Sequence, residues 1–167
     1  MTDPGIVVWI TGLPASGKST LAERVRARLH RPAVVLDSDV MRTVLESESY
    51  AEVDRDRFYR VLAKLAATVA AQGLIVLVPA TAQQASYRER ARELAPKFVE
   101  VWVRTPAAEC ARRDTKGLYA RARAGEIPTF PGSGAQYEAP THPEVIADSG
   151  FDDAAVATIV ALVDQPR

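Results

Sequence analysis

Gly12-Leu13-Pro14-Ala15-Ser16-Gly17-Lys18-Ser19 decides the fold, because this stretch matches the pattern G-x-x-x-x-G-K-[ST] without gaps. The glycines of such a loop allow a tight turn whose backbone N–H groups point at phosphate oxygens, and the following helix adds its positive N-terminus. Lys18 is expected to reach the β- and γ-phosphates of ATP, and Ser19 to ligate Mg²⁺. The predicted ATP-binding residues are Gly12, Leu13, Pro14, Ala15, Ser16, Gly17, Lys18, Ser19 and Thr20.

Short apolar strands alternate with amphipathic helices on both sides of this loop. The strands are predicted over 6–10, 33–36, 74–78, 98–103 and 145–147. The helices are predicted over 18–29, 54–71, 86–94, 106–113 and 154–163. Apolar strands that alternate with helices are typical of a parallel sheet covered on both faces. We therefore predict a three-layer α/β/α P-loop NTPase fold with a mainly parallel five-stranded sheet.

Composition favours one domain over residues 1–167, since 47% of the residues are hydrophobic and 25% are charged. The formal net charge is zero, so we expect no nucleic-acid partner. No apolar run reaches the length of a membrane span and the N-terminus has no basic region, so we expect no membrane partner and a cytoplasmic protein. Cys110 is the only cysteine and excludes an intramolecular disulfide; we expect it to be buried.

The stretch 115–143 has a different character, because it is rich in glycine and proline and contains no apolar run. A loop of this length is uncommon unless it has a function. We expect it to be a lid that also forms a wall of the substrate site.

Two carboxylates, Asp37 and Asp39, follow the second predicted strand. Ligands of open α/β sheets gather at the carboxyl ends of the strands. Asp37 is therefore the candidate base for an attacking hydroxyl, or a carboxylate that holds a magnesium-bound water. Asp39 is either part of the acceptor site or the N-cap of the helix that follows.

Several separated blocks resemble the adenylylsulfate kinase family, whose members phosphorylate the 3′-hydroxyl of adenosine 5′-phosphosulfate (APS). The phosphate loop is similar to the family's Gly-Leu-Ser-Gly-Ser-Gly-Lys-Ser-Thr. The most specific blocks are Arg113-Asp114-Thr115-Lys116-Gly117-Leu118-Tyr119, Ala122-Arg123-Ala124-Gly125-Glu126-Ile127 and Tyr137-Glu138-Ala139-Pro140. The resemblance runs from about residue 7 to residue 164 and implies ATP as co-substrate, a small nucleotide-like acceptor and a homodimer.

The resemblance also implies roles for individual residues. Asp37 would lie near the acceptor hydroxyl, and Arg42 and Arg55 would hold the phosphosulfate, although both could instead be solvated helix charges. The residues that would contact the acceptor nucleotide are Lys116, Gly117 and Leu118. Phe130 and Tyr50 would stack on the acceptor adenine, although Phe130 could instead be a core residue. Arg113, beside the lid, is the candidate catalytic cation together with Lys18.

The departures from the family pattern concentrate at the acceptor site. Val40 and Phe58 stand where the family has asparagines, and Val61 stands where it has an arginine. The family's Phe-Ile-Ser-Pro-Tyr-Arg is replaced by Ala80-Thr81-Ala82-Gln83-Gln84-Ala85. Three functions therefore remain open: an adenylylsulfate kinase, a kinase of the same fold for another acceptor such as cytidine diphosphoramidate or a small alcohol, and a nucleotide-binding regulatory module.

Overall fold

The computed structural model describes residues 3–114, 116–133 and 136–165. Within these ranges the strands are β1 (Ile6–Gly12), β2 (Ala33–Val35), β3 (Ile75–Pro79), β4 (Phe98–Val103) and β5 (Val145–Ala147). The helices are α1 (Lys18–Arg26), α2 (Ser38–Val44), α3 (Glu52–Ala70), α4 (Ala85–Leu94), α5 (Ala107–Arg112), α6 (Leu118–Arg123) and α7 (Asp153–Val163). A single 3₁₀ turn covers Pro131–Ser133.

The five strands form one sheet in the order β2-β3-β1-β4-β5, and every pair within it is parallel. The central strand β1 pairs Trp9 with Val78 of β3 on one side and with Glu100 of β4 on the other. All five predicted strands are present, and the expected parallel α/β/α fold is confirmed.

Alternation along β1 divides the core into two layers. Val7 and Trp9 pack in one cluster with buried residues of α3 and α4. Val8 and Ile10 point to the opposite face and pack in a second cluster with residues of α1 and α7. Because both faces of β1 are covered, the strand is apolar at consecutive positions, as parallel sheets require.

Two helices differ from the sequence prediction. Helix α1 ends at Arg26, although the apolar pattern continues to Leu29, which packs against the core outside the helix. Helix α6 lies inside the expected lid, the stretch 115–143, for which the sequence analysis predicts no helix. It is only six residues long, and such a helix is too short to produce a recognisable apolar period. Three residues of the expected lid, Thr115, Gly134 and Ala135, lie outside the described residues.

This topology places the loops that follow β1, β2 and β3 at one edge of the sheet. The phosphate loop follows β1, Asp37 follows β2, and the block 80–85 follows β3. Among the described residues, no helix combines the length and the apolar character that crossing a membrane requires.

Candidate active site

The phosphate loop has no room for side chains at two of its glycines. A Cβ on Gly12 would lie 2.6 Å from the carbonyl oxygen of Val103. A Cβ on Gly17 would lie 2.7 Å from the backbone nitrogen of Gly150, and Gly17 has a positive φ of 101°. Both positions therefore require glycine, and the loop is held against the ends of β4 and the segment after β5.

Lys18 turns back over this loop. Its Nζ donates hydrogen bonds to the carbonyl oxygens of Gly12 (3.0 Å) and Leu13 (2.8 Å). Burial lowers the pKa of Lys18 from 10.5 to about 8. Nearby carboxylates act in the opposite direction, and Asp39 has the largest effect among them. Among the described residues, the hydrogen-bond partners of this ammonium are thus neutral carbonyl groups, and a phosphate group would be a better partner for it.

Asp37 connects the phosphate loop to helix α2. Its Oδ2 accepts a hydrogen bond from the hydroxyl of Ser19 at 2.5 Å, and its Oδ1 accepts one from the backbone N–H of Asp39 at 2.9 Å. Asp37 is therefore the N-cap of α2, and the alternative that assigned this cap to Asp39 is wrong. The reason is geometric: Asp37 has the extended backbone of a cap residue, whereas Asp39 already lies in the first helical turn.

Asp39 instead pairs with Lys116 of the lid, and this contact raises the pKa of the lysine. Lys116 precedes α6, which is held by Asp114: the two carboxylate oxygens accept from the backbone N–H groups of Leu118 (2.9 Å) and Tyr119 (2.8 Å). The Asp-x-Lys-Gly-Leu-Tyr block therefore builds the start of a short helix and connects it to α2.

Tyr119 joins this helix to the phosphate loop. Its hydroxyl donates to the carbonyl oxygen of Pro14 at 2.8 Å, and its ring meets Phe130 edge to face with centroids 4.8 Å apart. Phe130 is 4% exposed and belongs to a small apolar cluster with Cys110 and Tyr119. The prediction that Cys110 is buried on a helix is confirmed.

Two buried arginines lie at the other end of the site. Arg42 is 7% exposed and Arg55 is 6% exposed. Within the part of the chain that the structure describes, neither guanidinium has a carboxylate within ion-pair distance. Arg55 donates a long hydrogen bond of 3.4 Å to the hydroxyl of Thr129. Buried cations without a counterion are costly, so these two arginines are well suited to an anionic ligand.

One cavity of about 920 Å³ joins the phosphate loop to these arginines. The predicted site residues that line it are Pro14, Ala15, Gly17, Lys18, Ser19, Thr20, Asp37, Asp39, Arg42, Tyr50, Arg55, Arg113, Lys116, Leu118 and Phe130. Four predicted residues, Gly12, Leu13, Ser16 and Gly117, are not part of its lining. Arg113, the predicted catalytic cation, donates to Glu109 at 2.7 Å, and the arginines Arg112 and Arg113 hold the pKa of that carboxyl at about 2.

The block that departs from the family pattern forms a neutral wall of this cavity. Thr81 and Gln83 line it, while Ala80 and Ala82 are fully buried. The backbone N–H of Ala82 donates to the Tyr59 hydroxyl at 3.0 Å, and the carbonyl oxygen of Gln83 accepts from the backbone N–H of Glu138. This wall contributes hydroxyl and amide groups but no charge to the cavity.

Phe151 and Tyr59 are among the residues of the cavity lining that the sequence analysis did not single out. Phe151 is 69% exposed, lines the cavity and lies under the guanidinium of Arg24 at 5.6 Å. Tyr59 lines the cavity from α3. The position of Phe151 just after β5 is a signal that could have found it, because ligands gather at the carboxyl ends of parallel strands. The apolar spacing of α3 gave no such signal for Tyr59.

The arrangement could hold a nucleotide phosphate next to a second anion. Comparisons with known proteins show the family to which the chain belongs. The adenylylsulphate kinase family profile matches residues 4–148, most of the chain. The chain belongs to the adenylylsulphate kinase family. An adenylyl-sulfate kinase of Gloeothece citriformis is 39% identical over 171 aligned positions, which cover 99% of this chain and 97% of the relative. The bifunctional enzyme NodQ of Azospirillum brasilense is 44% identical over 89% of this chain and 25% of its own length.

Solved adenylylsulphate kinases have the same architecture. The Mycobacterium tuberculosis APS kinase CysC in complex with AMPPNP and APS has a TM-score of 0.87 and 39% identity, covering 95% of this chain and 98% of the other. A hexameric APS kinase from Thiobacillus denitrificans has a TM-score of 0.67 and 26% identity, covering 95% of this chain and 28% of the other. The family expected from the sequence is thereby confirmed.

Proposed function

We propose that this protein transfers the γ-phosphoryl group of ATP to the 3′-hydroxyl of adenosine 5′-phosphosulfate. The observation that carries the proposal is a cavity that joins a phosphate loop to two buried arginines, neither of which has a carboxylate partner among the described residues. Asp37 contacts both halves, because it bonds to Ser19 of the loop and caps the helix that carries Arg42. The relatives named as adenylyl-sulfate kinases support the same acceptor.

The ATP half would be formed by the phosphate loop and Lys18, which would exchange its two carbonyl partners for phosphate oxygens. The hydroxyl oxygen of Ser19 lies 2.5 Å from Oδ2 of Asp37. Both are hard oxygen ligands of the kind that Mg²⁺ prefers. Magnesium bound there would neutralise charge on the ATP phosphates. Ser19 would hold the ion directly and Asp37 would orient its water ligands.

The acceptor half would be formed by Arg42 and Arg55 for the phosphosulfate, with Lys116, Gly117 and Leu118 beside the nucleotide. Asp39 would act indirectly, because its carboxylate pairs with Lys116. Phe130 would contribute an apolar surface to the cavity, and its ring packs edge to face against Tyr119. Guanidinium groups match the planar, bidentate geometry of such anions.

The reaction would be an in-line displacement. The acceptor 3′-oxygen would form a bond to the γ-phosphorus while the bond from that phosphorus to the β,γ-bridging oxygen breaks, and ADP would leave. Asp37 would accept the hydroxyl proton through Oδ2, the oxygen that now accepts from Ser19. Lys18 and Arg113 would stabilise charge on the transferring group, for which Arg113 would have to exchange its contact with Glu109.

A second acceptor is favoured by one observation, the neutral wall of Thr81 and Gln83. A wall with hydroxyl and amide groups suits a less anionic acceptor, such as cytidine diphosphoramidate, another nucleotide or a small alcohol. A site that loses partners for one substrate loses discrimination for it. The regulatory-module alternative is disfavoured, because Lys18, Ser19 and Asp37 are assembled around one cavity.

An acceptor screen tests the proposal. The protein is incubated with Mg²⁺ and γ-labelled ATP, and APS is offered beside cytidine diphosphoramidate, other nucleotides and small alcohols. Efficient labelling of APS, lost in a Lys18→Ala variant and in the presence of EDTA, is the expected result. Label on another acceptor with none on APS would replace the proposed acceptor, and label on no acceptor would contradict the kinase proposal itself.

The oligomeric state is proposed to be a homodimer, from the family resemblance. Light scattering coupled to size-exclusion chromatography is expected to give twice the chain mass of 18.1 kDa. A mass near six chains would instead resemble the hexameric relative of Thiobacillus denitrificans.

A further inference from the structure

The guanidinium of Arg42 lies between two aromatic rings. Its central carbon is 4.2 Å from the ring centroid of Tyr50 and 4.0 Å from that of Phe58. At these distances both rings attract the cation through their π faces, and the attraction is strongest for a desolvated cation. Arg42 is such a cation, since only 7% of the residue is exposed.

Backbone carbonyl groups fix the remaining orientation of Arg42. Its Nη1 donates to the carbonyl oxygens of Ser47 (3.1 Å) and Ser49 (3.4 Å) in the turn between α2 and α3. Over the described residues, no carboxylate forms an ion pair with Arg42. Neutral groups therefore hold the guanidinium in place. Its positive charge can interact with a ligand in the cavity that Arg42 lines.

This arrangement changes the interpretation of Tyr50. The family pattern predicts that this ring stacks on the acceptor adenine, but here it covers the guanidinium of Arg42 and also lies 5.8 Å from that of Arg55. It also explains the unusual residue at position 58. Phe58 replaces a polar family residue, is 2% exposed and offers its ring to the same guanidinium.

We propose that Tyr50 and Phe58 are positioning residues that hold Arg42 as an oriented cation for the anionic group of the acceptor. Tyr50 then contributes to affinity for the 5′ anion through Arg42. This inference rests on the proposed function, because it assigns Arg42 to the anion of a nucleotide acceptor.

Binding of two ligands that differ only in the anion tests this assignment. With the ATP site filled by magnesium and a non-hydrolysable ATP analogue, calorimetry gives the Kd of adenosine 5′-monophosphate and of adenosine. The Kd of adenosine divided by the Kd of the monophosphate measures the contribution of the anion. In Tyr50→Leu and in Phe58→Leu we expect the monophosphate to bind about ten-fold more weakly, while adenosine binding changes less than two-fold.

Two further variants separate positioning from a structural effect. Arg42→Leu should lower the same ratio, and adding Tyr50→Leu to Arg42→Leu should cause no further change, because the cation that Tyr50 positions is gone. Val53→Ala, at an exposed position of the first turn of α3, should leave the ratio at the wild-type value. Circular dichroism melting identifies any variant whose weaker binding reflects unfolding.

Three results would overturn the inference. Equal weakening of both ligands in Tyr50→Leu would make Tyr50 a base platform. If Tyr50→Leu still weakened monophosphate binding in the Arg42→Leu background, Tyr50 would act independently of the Arg42 cation. If the wild-type protein bound the monophosphate no more tightly than adenosine, Arg42 would not bind the anionic group of the ligand. Failure of the proposed function is a separate result: the anion preference would be present, but APS would not be phosphorylated.

Discussion

The hydroxyl of Ser19 donates to a carboxylate oxygen of Asp37 across 2.5 Å, and this contact joins the phosphate loop to the start of helix α2. The other oxygen of Asp37 caps that helix through the N–H of Asp39. One carboxylate thus has a structural and a proposed chemical task, and each task uses a different oxygen.

Replacing Asp37 by Asn and by Ala separates these tasks. Asn caps helices about as well as Asp, so Asp37→Asn should melt within a few degrees of the wild type while kcat falls about 10²- to 10⁴-fold. Asp37→Ala should lose the same activity and in addition about 1 kcal/mol of unfolding free energy. Steady-state kinetics and urea unfolding measure the two effects. A fully active Asp37→Asn variant would exclude a role for the charge.

Removing the ammonium of Lys18 should abolish turnover and leave the fold intact. The hydrogen-bond partners of the Lys18 ammonium among the described residues are two backbone carbonyl groups, and its burial is unfavourable to the charge, so little stability is expected to depend on it. Lys18→Ala is assayed for phosphoryl transfer and for thermal melting. The matched control is Lys97→Ala, which breaks an exposed pair with Asp3 far from the cavity and should stay fully active. Activity of Lys18→Ala near that of the control would contradict the assigned role.

Loss of the Tyr119 hydroxyl should weaken ATP binding through the phosphate loop. Tyr119→Phe removes the hydrogen bond to Pro14 but keeps the ring contact with Phe130, so we expect a loss of about 1 kcal/mol in stability and a several-fold higher KM for ATP. Tyr87→Phe, whose ring does not line the cavity, is the control and should keep the wild-type KM. An unchanged KM in Tyr119→Phe would show that the contact serves stability alone.

Arg88 is expected to be essential for stability, because its side chain is 3% exposed and three of its nitrogens donate hydrogen bonds. They donate to Glu100 (2.8 Å) and to the carbonyl oxygens of Ala82 and Glu138 (both 2.6 Å). Arg88→Met should destabilise the protein by about 3 kcal/mol or more, since it leaves a nearly buried carboxylate and two carbonyl groups without their main partner. Arg104→Met breaks an exposed pair with Asp148 and should change the unfolding free energy by less than about 1 kcal/mol. Similar urea midpoints for the two variants would contradict this assignment.

The sequence was sufficient for the parts of the protein that depend on local backbone geometry. The phosphate loop is contiguous, its glycines at 12 and 17 are required by close backbone contacts, and the alternation of apolar runs predicts the five parallel strands. The position of Asp37 could also be predicted, because it lies two residues after a strand whose carboxyl end faces the site.

Only the tertiary structure decided the partners of the acceptor-site side chains. Arg42, Tyr50 and Phe58 come from α2, a turn and α3, and their stacking depends on how these elements pack. The same holds for Asp39, whose partner Lys116 is 77 residues away in the lid. Side-chain partners of this kind are set by distance and orientation between elements, which no periodicity of the chain encodes, whereas a loop that binds phosphate through its own backbone carries its geometry in its sequence.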